Sequence, residues 1–320
     1  MALPAEKIVV VLGTGGTIAG TAASAGDNIG YTAAQVGVAQ LLDAIPALGA
    51  SLGGHALLTE QVAQIDSKDM SFAVWQRLAG RAAHWLAQPE VQGIVVTHGT
   101  DTLEETAYFL QAVLNPAKPI VLTCAMRPAT AVAPDGPQNV LDAVAVTMHP
   151  GARGVVAVCA GAIHGALDVQ KVHPYQVNAF SSGDAGALGY VEEGALRLLR
   201  NWPETKTGAP RLAVEDIVNA SRWPRVEIVM NYAGANGAIV QGLVAQGVQG
   251  LVVAATGNGT LHNDLEAALL VAQRAGVKVV RASRCPNGRV LGQPGDAIAD
   301  SQGLSAVKAR VALMLALMSA

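Results

Sequence analysis

A short apolar run that stops abruptly in a turn of glycines and threonines constrains this chain more than any other feature. Residues 8–12 read Ile-Val-Val-Val-Leu, and they lead into Gly13-Thr14-Gly15-Gly16-Thr17-Ile18-Ala19-Gly20. A β-branched run without polar alternation is the pattern of a strand buried on both faces, as in a parallel sheet covered by helices. Glycines after such a strand permit positive φ and let a ligand come close to the backbone. Two hydroxyls, Thr14 and Thr17, stand where the strand ends. Taken alone, the stretch leaves open whether they are turn-formers or whether one of them is a nucleophile.

The same punctuation recurs down the chain. A helix is predicted over 33–44, a strand over 56–59, and a helix carrying Phe72, Trp75, Leu78, Ala82 and Trp85 at helical spacing. A strand over 93–97, a helix over 103–114, a strand over 120–123, a helix over 139–148 and a strand over 155–159 follow. Strands alternating with helices predict a doubly wound parallel sheet. Hydrophobic residues make up 51% of the 320 and charged residues 14%, enough for a large core, and aromatics at 4% make that core aliphatic. Between 201 and 224 the chain turns polar and proline-marked, as a linker does. Beyond it the rhythm resumes, with strands over 226–230, 250–254 and 278–281 and helices over 237–245, 264–275 and 305–318. The expected fold is therefore α/β: a large N-terminal doubly wound parallel-sheet domain (1–200), a linker (201–224) and a smaller C-terminal α/β domain (225–320).

Several function classes fall away. A net charge of −3 carries no electrostatic footprint for nucleic acid or an anionic membrane. The run at 8–12 is too short for a signal peptide or a membrane span, so a cytoplasmic location is expected, or a periplasmic one if a leader has been removed. Cys124, Cys159 and Cys285 are widely spaced with no CxxC, which implies no disulfide framework, and Cys124 and Cys159, at the ends of apolar runs, read as buried core thiols. The seven histidines form no HExxH or other metal-ligand spacing. Ile18 stands where a dinucleotide fingerprint needs its third glycine, and neither GxxxxGK[ST] nor GxSxG occurs. No cofactor and no metal are expected.

Ligands of doubly wound sheets sit beyond the carboxyl ends of the strands. Two motifs lie there: Thr14-Gly-Gly-Thr17, and His98-Gly-Thr-Asp-Thr102 after the strand at 93–97. If those strands are neighbours, Thr17, Thr100 and Asp101 converge on one crevice. A hydroxyl could then attack a carbonyl, given a base, with backbone N–H groups around Gly16 and Thr100 holding the oxyanion and Asp101 holding an ammonium. The residues also allow plainer roles: Asp101 as an N-cap with Glu104 three positions on, Thr14 and Thr17 as turn residues, His98 as structural, and Lys171 as a solvated loop lysine. The small-residue loop over 20–30, ending at Tyr31, has the composition of a mobile lid.

At these residues the chain resembles the bacterial L-asparaginase (asparaginase/glutaminase) family. The signature motifs are Thr14-Gly-Gly-Thr17-Ile-Ala-Gly20 and His98-Gly-Thr-Asp-Thr102-Leu-Glu-Glu-Thr-Ala-Tyr-Phe-Leu110, and Tyr31-Thr-Ala, Ala125-Met-Arg-Pro-Ala-Thr130, Pro134-Asp-Gly-Pro137, Asn231-Tyr232, Gly257-Asn-Gly259 and Lys308-Ala-Arg310 follow in order. The resemblance implies a cofactor-free hydrolysis of L-asparagine to L-aspartate and ammonia, with weak L-glutaminase activity allowed. It implies Thr17 as the nucleophile that forms a β-aspartyl-enzyme, with Tyr31 closing over the substrate and exchanging a proton with Thr17. Lys171 would polarise Thr100, which positions water, and Asp101 would bind the α-ammonium. Ser67 would bind the α-carboxylate, and amides near Gly16 and Thr100 would form the oxyanion hole. The family further implies a homotetramer, a dimer of close dimers, whose active site is completed by a neighbour's small domain.

Departures from the family pattern bear on substrate binding. Lys68 stands where relatives carry Gln or Glu, and is expected to pair with the substrate carboxylate. Ala160-Gly161 replaces an Asn-Asp pair, and Thr260 replaces an Asn. The stretch 288–300 is short and lacks the Glu that a neighbour contributes, with Asp296 as a weak substitute. An amidotransferase subunit, a silent amino-acid-binding protein and a nicotinamide oxidoreductase are alternatives that fit the residues less well.

Overall fold

A computed structural model describes residues 7–204 and 212–319. Within 7–204 the elements run β1 (Ile8–Gly15), α1 (Val38–Asp43), α2 (Leu48–Ser51), β2 (Ala56–Ile65), α3 (Phe72–Leu86), β3 (Val91–Thr97), α4 (Leu103–Leu114), β4 (Ile120–Thr123), α5 (Gly136–Met148) and β5 (Val155–Cys159). The chain continues through β6 (Ala162–Gly165), β7 (Gln170–Lys171), β8 (Phe180–Ser181), β9 (Gly189–Glu192) and β10 (Ala195–Leu198). A short helix, α6 (Val214–Val218), precedes the point where the chain divides, after Asn219, into two units.

The first unit is built on an eight-stranded sheet in the order β10-β9-β6-β5-β4-β3-β1-β2. β2, β1, β3, β4 and β5 are parallel, with Val9 facing Leu57 on one side and Gly93 on the other. Val9, Val10, Val11 and Leu12 are wholly buried, as a central strand covered on both faces requires. Val9 and Val11 join Val95, Val121, Val140 and Val144 in one aliphatic core. The connection order reverses between β1 and β3, and in open α/β sheets a crevice forms at such a reversal. Trp75 of α3 stacks on Phe109 of α4, and its Nε1–H donates to Thr106.

Two expectations need correction. The sheet is parallel only through β5; β6, β9 and β10 add antiparallel to its edge, and β7 with β8 forms a separate two-stranded ladder. The helix expected over 33–44 begins only at Val38, because the chain before it is pulled onto the first turn by bonds from Ala34 to Gly16 and from Gln35 and Val36 to Ala19. The stretch expected as a linker, 201–224, contains α6. α6 packs on α3, with Gln76 donating to Ile217 O and Ile217 fully buried, while residues 205–211 lie outside the described residues.

The second unit is a smaller four-stranded parallel sheet in the order β11 (Val226–Met230), β12 (Gly250–Ala255), β13 (Lys278–Ser283) and β14 (Ala299–Asp300), with α7 (Ala238–Ala245), α8 (Asn263–Arg274) and α9 (Ala306–Met318). Its core gathers Val229, Val240, Leu251, Val253, Leu265 and Leu269.

Candidate active site

β1 and β3 are hydrogen-bonded neighbours, so the turns that follow them meet. Gly16 has φ 84°, and a Cβ there would lie 2.3 Å from Gly99 Cα. A Cβ on Gly99 would in turn lie 2.5 Å from Ser67 Oγ. The two motifs are in backbone contact, which only glycine allows at both places.

The two threonines of the first turn separate by environment. Thr14 is buried and its Oγ1 donates to Thr97 O at 2.9 Å, tying the end of β1 to that of β3. Thr17 Oγ1 lies 2.6 Å from Tyr31 OH. Tyr31 reaches it from the end of the small-residue loop, whose base is closed by paired bonds between Thr21 and Thr32. That loop is docked rather than detached: Ala22 N–H donates to Thr130 Oγ1 at 2.8 Å, Ala129 N–H to Gly20 O at 3.0 Å and Val132 N–H to Ala25 O at 3.1 Å.

The second hydroxyl has its own partner. Lys171 Nζ donates to Thr100 Oγ1 at 2.8 Å and to Asp101 Oδ1 at 2.6 Å. By its local sequence alone the lysine reads as a solvated loop residue, whereas the family resemblance sets it beside Thr100; it belongs to β7, and its side chain is only 19% exposed. Asp101 does not cap α4. The N-cap residue is Thr102, and the Asp101 carboxylate is turned to Lys171 while its side chain stays half exposed. This arrangement leaves the carboxylate open to a second cation.

Ser67 Oγ accepts from Asp101 N–H at 3.1 Å, so its own proton remains for an incoming acceptor, and Thr102 Oγ1 donates to Ser67 O at 2.8 Å. Lys68 is exposed and paired with Asp69 and, at 4.0 Å, with Asp66. Those carboxylates hold its charge, raising its pKa through the Asp69 hydrogen bond first. The Gly16 amide donates to Ile65 O at 2.9 Å and its carbonyl accepts from Ala34 N–H at 3.0 Å. In the second unit, Arg281 and Gln293 N–H both donate to Asp296 Oδ2. Among the described residues no group of three or more His, Cys, Asp or Glu side chains is arranged to hold a metal ion.

Sequence reasoning missed the residues that hold this frame. Asp135 accepts from Met126 and Arg127 N–H, both at 2.9 Å. Asn139 donates to Cys124 O and accepts from Ala160 N–H, also at 2.9 Å. Pro137 in the first turn of α5 was the available signal that a helix begins there rather than at Asn139.

Comparison with known proteins gives matches over both units. Residues 8–204 match the asparaginase N-terminal family model, and residues 225–320 the glutaminase/asparaginase C-terminal domain model. L-asparaginase 2 of Escherichia coli (strain K12) is 37% identical over 318 residues, covering 97% of this chain and 88% of that protein. Glutaminase-asparaginase of Pseudomonas fluorescens biotype A is 37% identical over 319 residues, covering 97% and 86%. A crystal structure described as a probable cytoplasmic L-asparaginase from Campylobacter jejuni aligns with a TM-score of 0.91 at 36% identity, covering 98% of this chain and 96% of that one.

Proposed function

The chain belongs to the asparaginase family, and on that premise we propose that it hydrolyses L-asparagine to L-aspartate and ammonia with Thr17 as nucleophile. The observation that carries the reading is the 2.6 Å contact between Thr17 Oγ1 and Tyr31 OH. A threonine hydroxyl is a weak nucleophile until a neighbour takes its proton, and Tyr31 is in direct reach.

Thr17 Oγ1 attacks the side-chain amide carbon, and its proton passes to the Tyr31 oxygen as the Tyr31 hydroxyl proton moves on to the leaving nitrogen. The oxyanion is held by amides past Gly16 and at Thr100. Ammonia departs with that proton, a β-aspartyl ester remains on Thr17, and Tyr31 is left with one hydroxyl proton as before. Water oriented by Thr100, whose Oγ1 is held by Lys171, then attacks the ester and regenerates the hydroxyl. Asp101 binds the substrate α-ammonium and Ser67 its α-carboxylate, with Lys68 at the rim adding positive charge. L-Glutamine is a weaker substrate in this reading, as the Pseudomonas relative's name allows.

The homotetramer implied by the family, a dimer of close dimers, is carried as part of the proposal, and sedimentation of the purified protein tests it. No helix among the described residues is long and apolar enough to cross a membrane. Relatives include one named as periplasmic and one described as cytoplasmic; a cytoplasmic location, or a periplasmic one if a leader has been removed, is carried as part of the proposal.

Ammonia release from L-asparagine tests the chemistry. Thr17→Ala should lower kcat about 10³-fold or more, and Tyr31→Phe about 10²–10⁴-fold. Undiminished activity in Thr17→Ala removes Thr17 from the mechanism.

A further inference from the structure

Cys124 follows directly on β4, and Cys159 is the last residue of β5. The two strands are parallel neighbours whose register ends with Thr123 facing Val158, so the next residues on each strand come abreast. Their sulfurs lie 2.9 Å apart, closer than the roughly 3.5–4.0 Å of ordinary non-bonded carbon atoms. Both cysteines are buried, at 1% and 4% exposure. We infer that Cys124 and Cys159 are a disulfide-forming pair, oxidised when the chain folds in an oxidising compartment and a dithiol when it folds in a reducing one.

The surrounding bonds make the linkage cheap in backbone terms. Asn139 spans the two strand ends, donating to Cys124 O and accepting from the amide that follows Cys159. Thr123 Oγ1 donates to Val158 O at 2.9 Å, and His98 N–H to Thr123 O at 2.9 Å. With both ends fixed, closing to a disulfide bond length of about 2.05 Å moves the sulfurs by roughly 0.9 Å and leaves the ladder intact. Cys285 is exposed and belongs to the second unit.

The step balances with a low-molecular-weight disulfide such as glutathione disulfide as oxidant. One protein thiol loses its proton, its sulfur attacks the oxidant and one glutathione leaves. The second protein sulfur then displaces the other glutathione. Two protein thiols and one glutathione disulfide become one protein disulfide and two glutathione thiols, with two electrons passed to glutathione. In the folded protein this is slow, because the neighbouring Cys159 and burial together push the Cys124 thiol well up and no oxidant reaches it. Oxidation therefore belongs to folding, when both sulfurs are accessible and the β4–β5 pairing brings them together. The bond would close a segment spanning 35 positions and stabilise the fold chiefly by restricting the unfolded chain.

The full chain is produced in the reducing cytosol of a bacterial host and, behind an export leader, in its oxidising periplasm. Free thiols are trapped with an alkylating agent during denaturation, and peptides are mapped without reduction. The periplasmic sample should yield a Cys124–Cys159 cross-linked peptide with Cys285 unlinked to either, and it should melt about 5–10 °C above the cytosolic sample. Cys159→Ala should abolish both differences. As a second arm, the reduced, denatured cytosolic chain is refolded in a glutathione/glutathione-disulfide buffer, where the same cross-link should form. The inference is overturned if native periplasmic or refolded protein carries Cys124 and Cys159 as alkylated thiols, or if either is joined to Cys285. A cross-link with no change in melting temperature overturns the stabilising role.

Discussion

His98 is the residue through which mild acid should first weaken the N-terminal unit. Its ring is wholly buried, and Nδ1 lies 2.7 Å from Gly99 O. A carbonyl only accepts, so Nδ1 carries the proton of the neutral ring. Nε2 is buried with no partner among the described residues. Charging the ring would put a second N–H at Nε2, where nothing accepts it. Burial therefore pulls the pKa from 6.5 down to about 4, with the Gly99 bond opposing only in part. Between those values the unfolded chain binds a proton that the folded one refuses, so stability rises with pH across the window. The contribution is whole above about pH 6.5 and is lost as pH falls towards 4. A separation of about 2.5 in pKa corresponds to roughly 3 kcal/mol. The perturbation is His98→Gln, which cannot titrate. Urea unfolding followed by circular dichroism at about pH 7, 6, 5 and 4.5 should show wild type losing on the order of 2–3 kcal/mol more than the variant over that range, whatever the variant's starting stability. Ring-nitrogen NMR should show His98 neutral at about pH 5. Parallel stability curves for the two proteins, or titration of His98 near 6.5, would refute the reasoning.

Three other perturbations test separate parts of the structure. Asp142 is buried in α5 with Gln138 donating to it at 2.8 Å, and burial raises its pKa. Its folded form therefore holds a proton more readily than the unfolded chain and loses relative stability as pH rises. Asp142→Asn should gain about 1 kcal/mol at neutral pH, with the gain vanishing in acid below the carboxylate range; an equal gain at both pH values counts against this. Thr130→Val removes the side-chain bond that holds the loop over 20–30 at Ala22. With about 1 kcal/mol lost, kcat/KM should fall roughly fivefold and proteolytic cleavage within that loop should quicken; unchanged cleavage removes Thr130 as the latch. Lys68→Gln should raise KM more than it lowers kcat if the lysine leaves Asp69 for the substrate carboxylate, and an unchanged KM would leave Lys68 to its own carboxylates.

What was legible in the sequence was whatever is decided locally. β4 and β5 fall on the residues the apolar runs predict, and α4 spans the residues its periodicity predicts. The long-range pieces were not legible. Residues 33–37 have helical composition, yet they leave the helix because Ala34, Gln35 and Val36 donate to carbonyls of the first turn. Asp101 and Glu104 spell a capping box, yet Lys171, seventy positions on, takes the Asp101 carboxylate instead. The antiparallel strands β6 to β10 are two to four residues long, too short for periodicity to separate them from loop.

This division has a chemical consequence at the site. The distance between the Thr17 and Thr100 turns is set by backbone against backbone, Gly16 on Gly99, with Ser67 packed behind Gly99. That backbone contact fixes the spacing of the two turns, while the Thr17 and Thr100 hydroxyls are each oriented by a partner of their own. The partners arrive from the least regular parts of the unit, Tyr31 from a loop held by three hydrogen bonds and Lys171 from a two-residue strand. In the mechanism proposed above, Tyr31 and Lys171 are mounted on separate segments, so a change at the loop over 20–30 need not disturb the Thr100–Lys171–Asp101 group. Thr14 could not replace Thr17 in such a scheme, because its hydroxyl is committed to Thr97 and ties together the two strands on which the spacing depends.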